Sequence, residues 1–248
     1  EFNPDEEFNV VKFQKYAKKY IDLIYKKNKI PILVGGTGFY IQALLYDIDF
    51  EEHTSDTSYR EELTQLAKSK GSLYLHEMLA NLDPNSAKAI HPNNVKRIIR
   101  ALEYIKQTGE PISAHNEAQR MKESPYQYRY FVLTKDRTKL YEAINQRVDI
   151  MIEKGLVNEV RQLLDMGYNK EMVSMQGLGY KELIDYLEDN CSLDEAIYRL
   201  KRDTRHYAKR QLTWFRRDTR IHWFLHDKGE EPTAVAKTIW TRVKENLG

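Results

Sequence analysis

The sequence predicts an α/β protein carrying an all-helical insertion. Three observations point there. A helix, a short apolar run and a glycine turn into a second helix follow one another over residues 8–45. From about Glu52 to Gln107 the pattern is helical throughout, with no strand-like run. Two further apolar runs, Tyr130–Thr134 and Ile221–Leu225, are separated by helices. Helices alternating with short apolar runs are the pattern of a parallel sheet with covered faces. The expected organisation is a core of residues 1–51 and 115–248, with residues 52–114 inserted into it.

The elements follow in order. Phe13, Tyr16, Ala17, Tyr20, Leu23 and Ile24 recur at helical spacing between Phe8 and Lys27, and Asn28 closes that helix. Ile30–Val34 reads as a buried parallel strand. Gly35-Gly36-Thr37-Gly38 turns the chain into a helix over Phe39–Leu45. In the insertion the breaks fall at Lys70-Gly71, Asp83-Pro84 and His91-Pro92-Asn93, and Gly109-Glu110-Pro111 ends its last long helix. Beyond the Tyr130–Thr134 strand, helices are expected over Lys139–Lys154, Val157–Met166, Tyr180–Leu187 and Leu193–Phe215. After the late strand Ile221–Leu225, a terminal helix runs roughly from Pro232 to Asn246. Three strands are few for a parallel sheet. Together with Glu1 in place of a starting Met, this suggests further strands upstream.

Composition narrows the function. The 248 residues are 41% hydrophobic and 31% charged, which describes a globular chain with a heavily charged surface. No apolar run approaches the ~18 residues of a membrane span, and the first twenty residues lack a signal or transit pattern. A single cysteine, Cys191, excludes a disulfide scaffold and a multi-cysteine zinc site. The simplest compartment is the cytoplasm, with no membrane partner.

The net charge of +2 hides a strong segregation. Acids crowd Asp47–Glu62 (Asp47, Asp49, Glu51, Glu52, Asp56, Glu61, Glu62) around Arg60. Bases crowd Arg199–Arg220, opposed by Asp203 and Asp218. Lys88, Lys96, Arg97, Arg100 and Lys106 face Glu103 alone. Such segregation creates local fields that suit a polyanion, although solvated helix faces would look the same.

Five segments offer chemistry. Gly35, Gly36 and Gly38 let backbone approach a ligand ahead of a helix N-terminus; a tight structural turn explains them equally well. In His91–Glu103, Val95, Ile98, Ile99 and Leu102 form an apolar stripe, while Lys96, Arg97 and Arg100 share the other side. That arrangement suits a helix gripping phosphates, or a solvated face. Arg147 lies at the edge of the packing face of its helix, turned to a cleft or snorkelling. Gln176-Gly177-Leu178-Gly179-Tyr180-Lys181 combines a flexible turn with amide, ring and charge, as nucleic-acid contacts often do. In Asp203–Arg217, Arg202, Arg205 and Lys209 align on one face with Tyr207, Trp214 and Phe215 interleaved. No HExxH, G-x-S-x-G or Cys/His metal cluster is present.

In this order and spacing, PILVGGTGFY (31–40), HPNNVKRIIRALE (91–103), INQRVDIMIEKGLVNEV (144–160), QGLGYKE (176–182) and YAKRQLTWFRRD (207–218) resemble the tRNA dimethylallyltransferase (tRNA isopentenyltransferase) family. The resemblance runs from about Asp5 to Phe224. It implies a P-loop-NTPase-like parallel-sheet core, with the insertion clasping the tRNA anticodon stem-loop. It implies transfer of a dimethylallyl group from dimethylallyl diphosphate to N6 of adenosine 37, in tRNAs reading codons that begin with U. Arg147 matches the diphosphate-contacting arginine, and Thr37 a residue beside the reacting adenosine. Arg60 aligns less securely with a tRNA-contacting arginine. Lys96, Arg97, Ile98, Ile99 and Arg100 match one tRNA-contacting segment. Gln176, Gly177, Leu178, Gly179, Tyr180 and Lys181 match a second. Asp203, Thr204, Arg205, His206, Tyr207, Ala208, Lys209 and Arg210 match a third.

The departure is at the start. Family members begin with a strand, a G-P-T-x-x-G-K-[ST] loop and an Asp-Ser segment holding the general base, and these 248 residues contain none of them. The resemblance therefore implies that the Mg2+ ligands and the base lie upstream. The full-length parent is expected to be an enzyme and a monomer, and this chain alone to be inactive. Two alternatives remain at this point: a non-catalytic RNA-binding module, and an adenylate isopentenyltransferase acting on free nucleotide.

Overall fold

A computed structural model describes residues 2–50, 57–225 and 232–244, with no side-chain detail at Thr57 and Pro232. The chain forms two compact units, Gln42–Tyr126 and the pair Glu1–Ile41 with Gln127–Gly248. It is a helix-rich α/β protein with a small parallel sheet.

The discontinuous unit opens with α1, Val10–Tyr25, whose first turn is capped by Asn9 accepting from the Lys12 N–H at 3.0 Å. Its Phe13 ring packs on Tyr40, with centroids 5.1 Å apart. α2, Gly38–Leu45, begins in this unit. Strand β1, Phe131–Thr134, leads to α8, Arg137–Glu153, capped by Asp136. There follow α9 (Leu156–Asp165), a short 3-10 turn (Val173–Gln176), α10 (Tyr180–Leu187) and α11 (Leu193–Phe215). Strand β2, His222–Leu225, and helix α12, Pro232–Lys244, complete the unit. Val148, Leu156, Val160, Met175, Leu183, Ile184, Ala196 and Leu200 form its main core, so α8 to α11 make one packed cluster. Val132, Phe215 and Ile221 form a second, smaller core under the sheet.

The other unit holds α3 (Thr57–Lys70), α4 (Ser72–Leu82), α5 (Pro84–Ala89), α6 (Val95–Thr108) and α7 (Ile112–Arg120). The breaks between α3, α4, α5 and α6 fall at Gly71, Asp83 and residues 90–94, where glycine and proline place them. Leu63, Leu75, Leu79, Ile98 and Leu102 are fully buried at its centre. Asp83 is a structural clasp here. Its carboxylate, 1% exposed, accepts from the Ser86 N–H (3.0 Å), the Ser113 N–H (2.9 Å) and the Ser113 hydroxyl (2.7 Å).

The structure differs from the sequence expectation in three places. Ile30–Val34 is not a strand. Its backbone joins no ladder among the described residues, and Ile32 and Val34 are 82% and 88% exposed. A strand exists only beside a neighbour, and the one ladder described pairs β1 with β2 in parallel, Phe131 opposite His222. Second, α7 was not anticipated, because Pro111 reads as a stop but serves as its N-cap. Third, the helical unit extends beyond 52–114 on both sides. Lys122 donates to the Asp47 carbonyl at 3.1 Å and pairs with Asp49 at 2.5 Å, tying residues 47–49 to the chain after α7. Glu51, Glu52 and Asp56 of the acidic run, and residues 245–246 of the expected terminal helix, lie outside the described residues. No described helix is long and apolar enough to cross a membrane.

Candidate functional site

In the discontinuous unit, α11 is the spine of the candidate site. Gln211 donates through Nε2 to the Gly36 carbonyl at 2.8 Å, across 175 residues of sequence. Trp214 covers Gly38, and the Phe39 ring meets it edge-on at 6.3 Å. The glycine turn is therefore clamped to the C-terminal half of α11. Thr37 stays exposed on this clamp, its carbonyl accepting from the Tyr40 N–H at 2.9 Å to start α2. A Cβ on Gly38 would overlap the Trp214 ring, reaching to 2.9 Å of Cγ. A bulky ring cannot give way cheaply. Gly38→Ala is expected to cost about 1–3 kcal/mol in a thermal or denaturant melt. An unchanged midpoint would show that the clamp is loose.

The other end of α11 holds α8. Arg205 donates through Nη1 to Asn145 Oδ1 at 2.6 Å, and Lys201 pairs with Asp149 at 2.5 Å. Asn145 and Asp149 share one face of α8, and Val148 is buried in the core. Arg147 lies between them, points away and is exposed. It has no ion pair or side-chain hydrogen bond among the described residues. Its helix is held at two points, and its guanidinium has its donors free.

The 176–181 turn meets α11 at a cleft of about 610 Å³. Gln176, Lys181, Glu182, Arg202 and Asp203 line it, together with Lys170, Asp185 and Arg199. Arg202 grips Asp203 with two hydrogen bonds of 2.8 and 3.3 Å. That guanidinium holds the Asp203 carboxyl below the usual carboxylate range, and Lys181 and His206 add to the effect. The Tyr180 hydroxyl donates to Glu159 at 2.5 Å. This bond, and then burial, push its pKa up to about 12. Gln176 donates to the Lys170 carbonyl. Lys209 and His206 face solvent, and Arg210 lies over the Tyr207 ring at 5.8 Å.

Of the remaining candidates, Ala208, Gly179 and Leu178 are packed, and the others lie open or bond locally. Ala208 is 9% exposed, Gly179 is buried, Gly177 opens the turn, and Leu178 packs on the main core. The Thr204 hydroxyl donates back to the Leu200 carbonyl at 2.7 Å. Gly35 has open space around it.

In the helical unit, α6 presents Lys96, Arg97 and Arg100 to solvent with no side-chain partner among the described residues. Ile98 and Ile99, 0% and 7% exposed, belong instead to the core, because an amphipathic helix cannot show both faces. Arg60 is not a free cation either. It makes a two-pronged pair with the buried Glu103, at 2.8 and 3.0 Å. That hydrogen bonding strengthens its hold on its proton.

The clamping amides Asn145 and Gln211 were not singled out by the sequence reading, and Trp214 was named only as one of several interleaved aromatics. Isolated amides and a tryptophan on amphipathic helices carry no local signal when their partners are distant in sequence. The described residues gather no cluster of three or more His, Cys, Asp or Glu able to hold a metal.

Three comparisons bear on this arrangement. A family model described as IPP transferase matches residues 1–218. A protein of Lachnoclostridium phytofermentans named tRNA dimethylallyltransferase is 63% identical over 223 residues, covering 90% of this chain and 71% of that protein. A Staphylococcus epidermidis tRNA delta(2)-isopentenylpyrophosphate transferase structure aligns with a TM-score of 0.66 at 39% identity, covering 99% of this chain and 79% of that one. A eukaryotic dimethylallyltransferase, described as acting on tRNA, aligns with a TM-score of 0.77 at 25% identity, covering 99% of this chain and 64% of that one.

Proposed function

The chain belongs to the IPP transferase family, and on that premise we propose that it serves a tRNA dimethylallyltransferase. The reaction moves the dimethylallyl group of dimethylallyl diphosphate to N6 of adenosine 37, in tRNAs reading codons that begin with U. The N6 amine attacks C1 of the donor. The N6–C1 bond forms, the C1–O bond breaks, diphosphate leaves, and a base takes the N6 proton. The fold beneath this chemistry is a P-loop-NTPase-like core, active in the cytoplasm as a monomer.

The observation that carries the reading is the shared anchoring of three candidate segments on α11. The glycine turn, the helix bearing Arg147 and the 176–181 turn all pack or hydrogen-bond against it. Arg147 meets the charge gathering on the departing diphosphate, the place where electrostatic stabilisation acts most strongly. Thr37 stands beside the reacting adenosine. That base must leave its stack to be reached, and single-stranded loops allow this at least cost. Gln176, Lys181 and Lys209 supply amide and cationic contacts to the RNA. Magnesium belongs to the same reading as a counter-charge for the diphosphate. The described residues gather no group of three or more His, Cys, Asp or Glu to hold it.

In the helical unit, Lys96, Arg97 and Arg100 would grip phosphates of the anticodon stem. Arg97→Ala with Arg100→Ala should weaken RNA binding and reduce the salt slope by about 1–2. A slope equal to that of the unaltered protein would remove α6 from the interface.

The test of the whole reading is direct. The enzyme is incubated with dimethylallyl diphosphate, magnesium and an anticodon stem-loop containing an A-A-A run, and the nucleosides are weighed by mass spectrometry. A five-carbon gain on one adenosine is expected. RNA binding without that gain would favour a non-catalytic module. Gain on free AMP instead would favour a nucleotide-prenylating enzyme.

A further inference from the structure

Glu182 lies inside the 176–182 segment but serves none of the roles above. Its side chain is 4% exposed. Oε2 accepts the Gly179 N–H at 2.8 Å. Oε1 makes no hydrogen bond but is ion-paired with Lys181 Nζ at 3.4 Å. A glutamate three residues into a helix often caps it in this way, but usually from the solvent side. A buried carboxylate with one oxygen outside any hydrogen bond is a costly cap. Serine or asparagine on the surface would cap a helix as well.

The residue that Glu182 holds is also unusual. Gly179 has φ +102° and ψ −48°, a backbone state that side-chain-bearing residues rarely adopt. A Cβ there would make only ordinary contacts, 3.6 Å to Leu156 and 4.0 Å to Leu200, so it is the backbone state and not the space that calls for glycine. The turn's path out of the core therefore pivots at Gly179. Gln176 and Lys181, on either side of that pivot, line the same cleft as Arg202 and Asp203. The lining sets the acids Glu182, Asp185, Glu195 and Asp203 against the bases Lys170, Lys181, Arg199 and Arg202, so Glu182 adds no net attraction for a polyanion. What it does supply is the acceptor for the Gly179 N–H.

We infer that Glu182 is a positioning residue for RNA binding. Its carboxylate fixes Gly179 and so presents Gln176 and Lys181 to the cleft in one arrangement. The inference rests on the proposal that residues 176–181 contact RNA.

The experiment measures the Kd of this chain for the anticodon stem-loop, its melting temperature and the Gly179 amide resonance in 15N-labelled protein. Glu182→Ala should weaken RNA binding about tenfold, the typical loss when one or two contact groups are no longer preorganised. Glu182→Gln keeps an oxygen for Gly179 and should restore binding to near the original value. The Gly179 amide should move further in the alanine variant, which offers it no acceptor, than in the glutamine variant. Val160→Ala, in the same core, should lower the melting temperature and leave Kd unchanged. Should Glu182→Ala not fold, Glu182→Asp is one methylene short of Gly179 and carries the same expectation.

Unchanged binding in Glu182→Ala overturns the inference. So does equal weakening by Val160→Ala, or a glutamine variant as weak as alanine. Gln176→Ala and Lys181→Ala separate the two layers. If neither affects RNA binding, the role of the turn itself is lost. If they weaken binding and Glu182→Ala does not, only the positioning role is lost.

Discussion

Replacing Arg147 with alanine in the full-length enzyme is expected to lower kcat about 10²–10³-fold while leaving RNA affinity within roughly twofold, the scale seen when one charge-stabilising donor is removed. The separation follows from where Arg147 sits. Its helix is held to α11 by Asn145–Arg205 and Asp149–Lys201, so truncating Arg147 disturbs neither anchor. Its guanidinium has no described partner to release, so the fold should not notice the loss. Steady-state kinetics with both substrates varied, beside a direct RNA-binding measurement, would decide. Parallel loss of turnover and RNA affinity would place Arg147 on the RNA and not on the diphosphate. Arg147→Lys should recover only part of the rate, because an ammonium cannot reproduce a two-pronged grip on phosphate oxygens.

The second large effect is on stability and lies in the helical unit. Asp83→Ala is expected to destabilise that unit by about 3 kcal/mol, since it strands buried donors that each cost roughly 1–3 kcal/mol unpaired. The carboxylate joins the start of α5 to the start of α7, two points thirty residues apart. Burial alone would raise its pKa. The hydrogen bonds from Ser86 and Ser113 outweigh burial and hold it below the usual range. With the folded value below the unfolded one, its stabilisation is complete above the unfolded pKa of about 3.9 and fades as pH falls through the folded value. Thermal melts of the unaltered protein should therefore approach those of Asp83→Ala as the pH is taken from 6 to 3. A gap that stays constant with pH would mean that folding leaves the carboxyl's hold on its proton unchanged, and one that widens toward acid would mean that it is protonated in the folded state.

Much of the helical unit was legible because its information is local. Gly71, the Asp83-Pro84 step and the His91-Pro92-Asn93 turn punctuate the chain where the breaks occur. The stripe Ile98, Ile99, Leu102 marks the buried face of α6, and the same stripe leaves Lys96, Arg97 and Arg100 outside. The sheet was less legible. Tyr130–Thr134 and Ile221–Leu225 both contain strands, and these do pair in parallel. Ile30–Val34 has the same composition and forms none, because apolar character cannot supply the neighbour that a ladder requires.

The sequence by itself determined the helix positions other than that of α7, the segregation of charge and the family. Each is written in periodicity, punctuation or motif order along the chain. The tertiary structure alone decided which of those charges are available. Arg60, Arg202 and Arg205 look like Arg97 and Arg147 in sequence, yet Glu103, Asp203 and Asn145 engage the first three. Most of these partners lie forty to sixty residues away, and pairing over such distances leaves no local pattern. The grouping of the glycine turn, the Arg147 helix and the 176–181 turn on α11 has the same cause. Gln211, Arg205 and Arg202 are a few helical turns apart on one rigid element, and a long helix brings together what the chain keeps far apart.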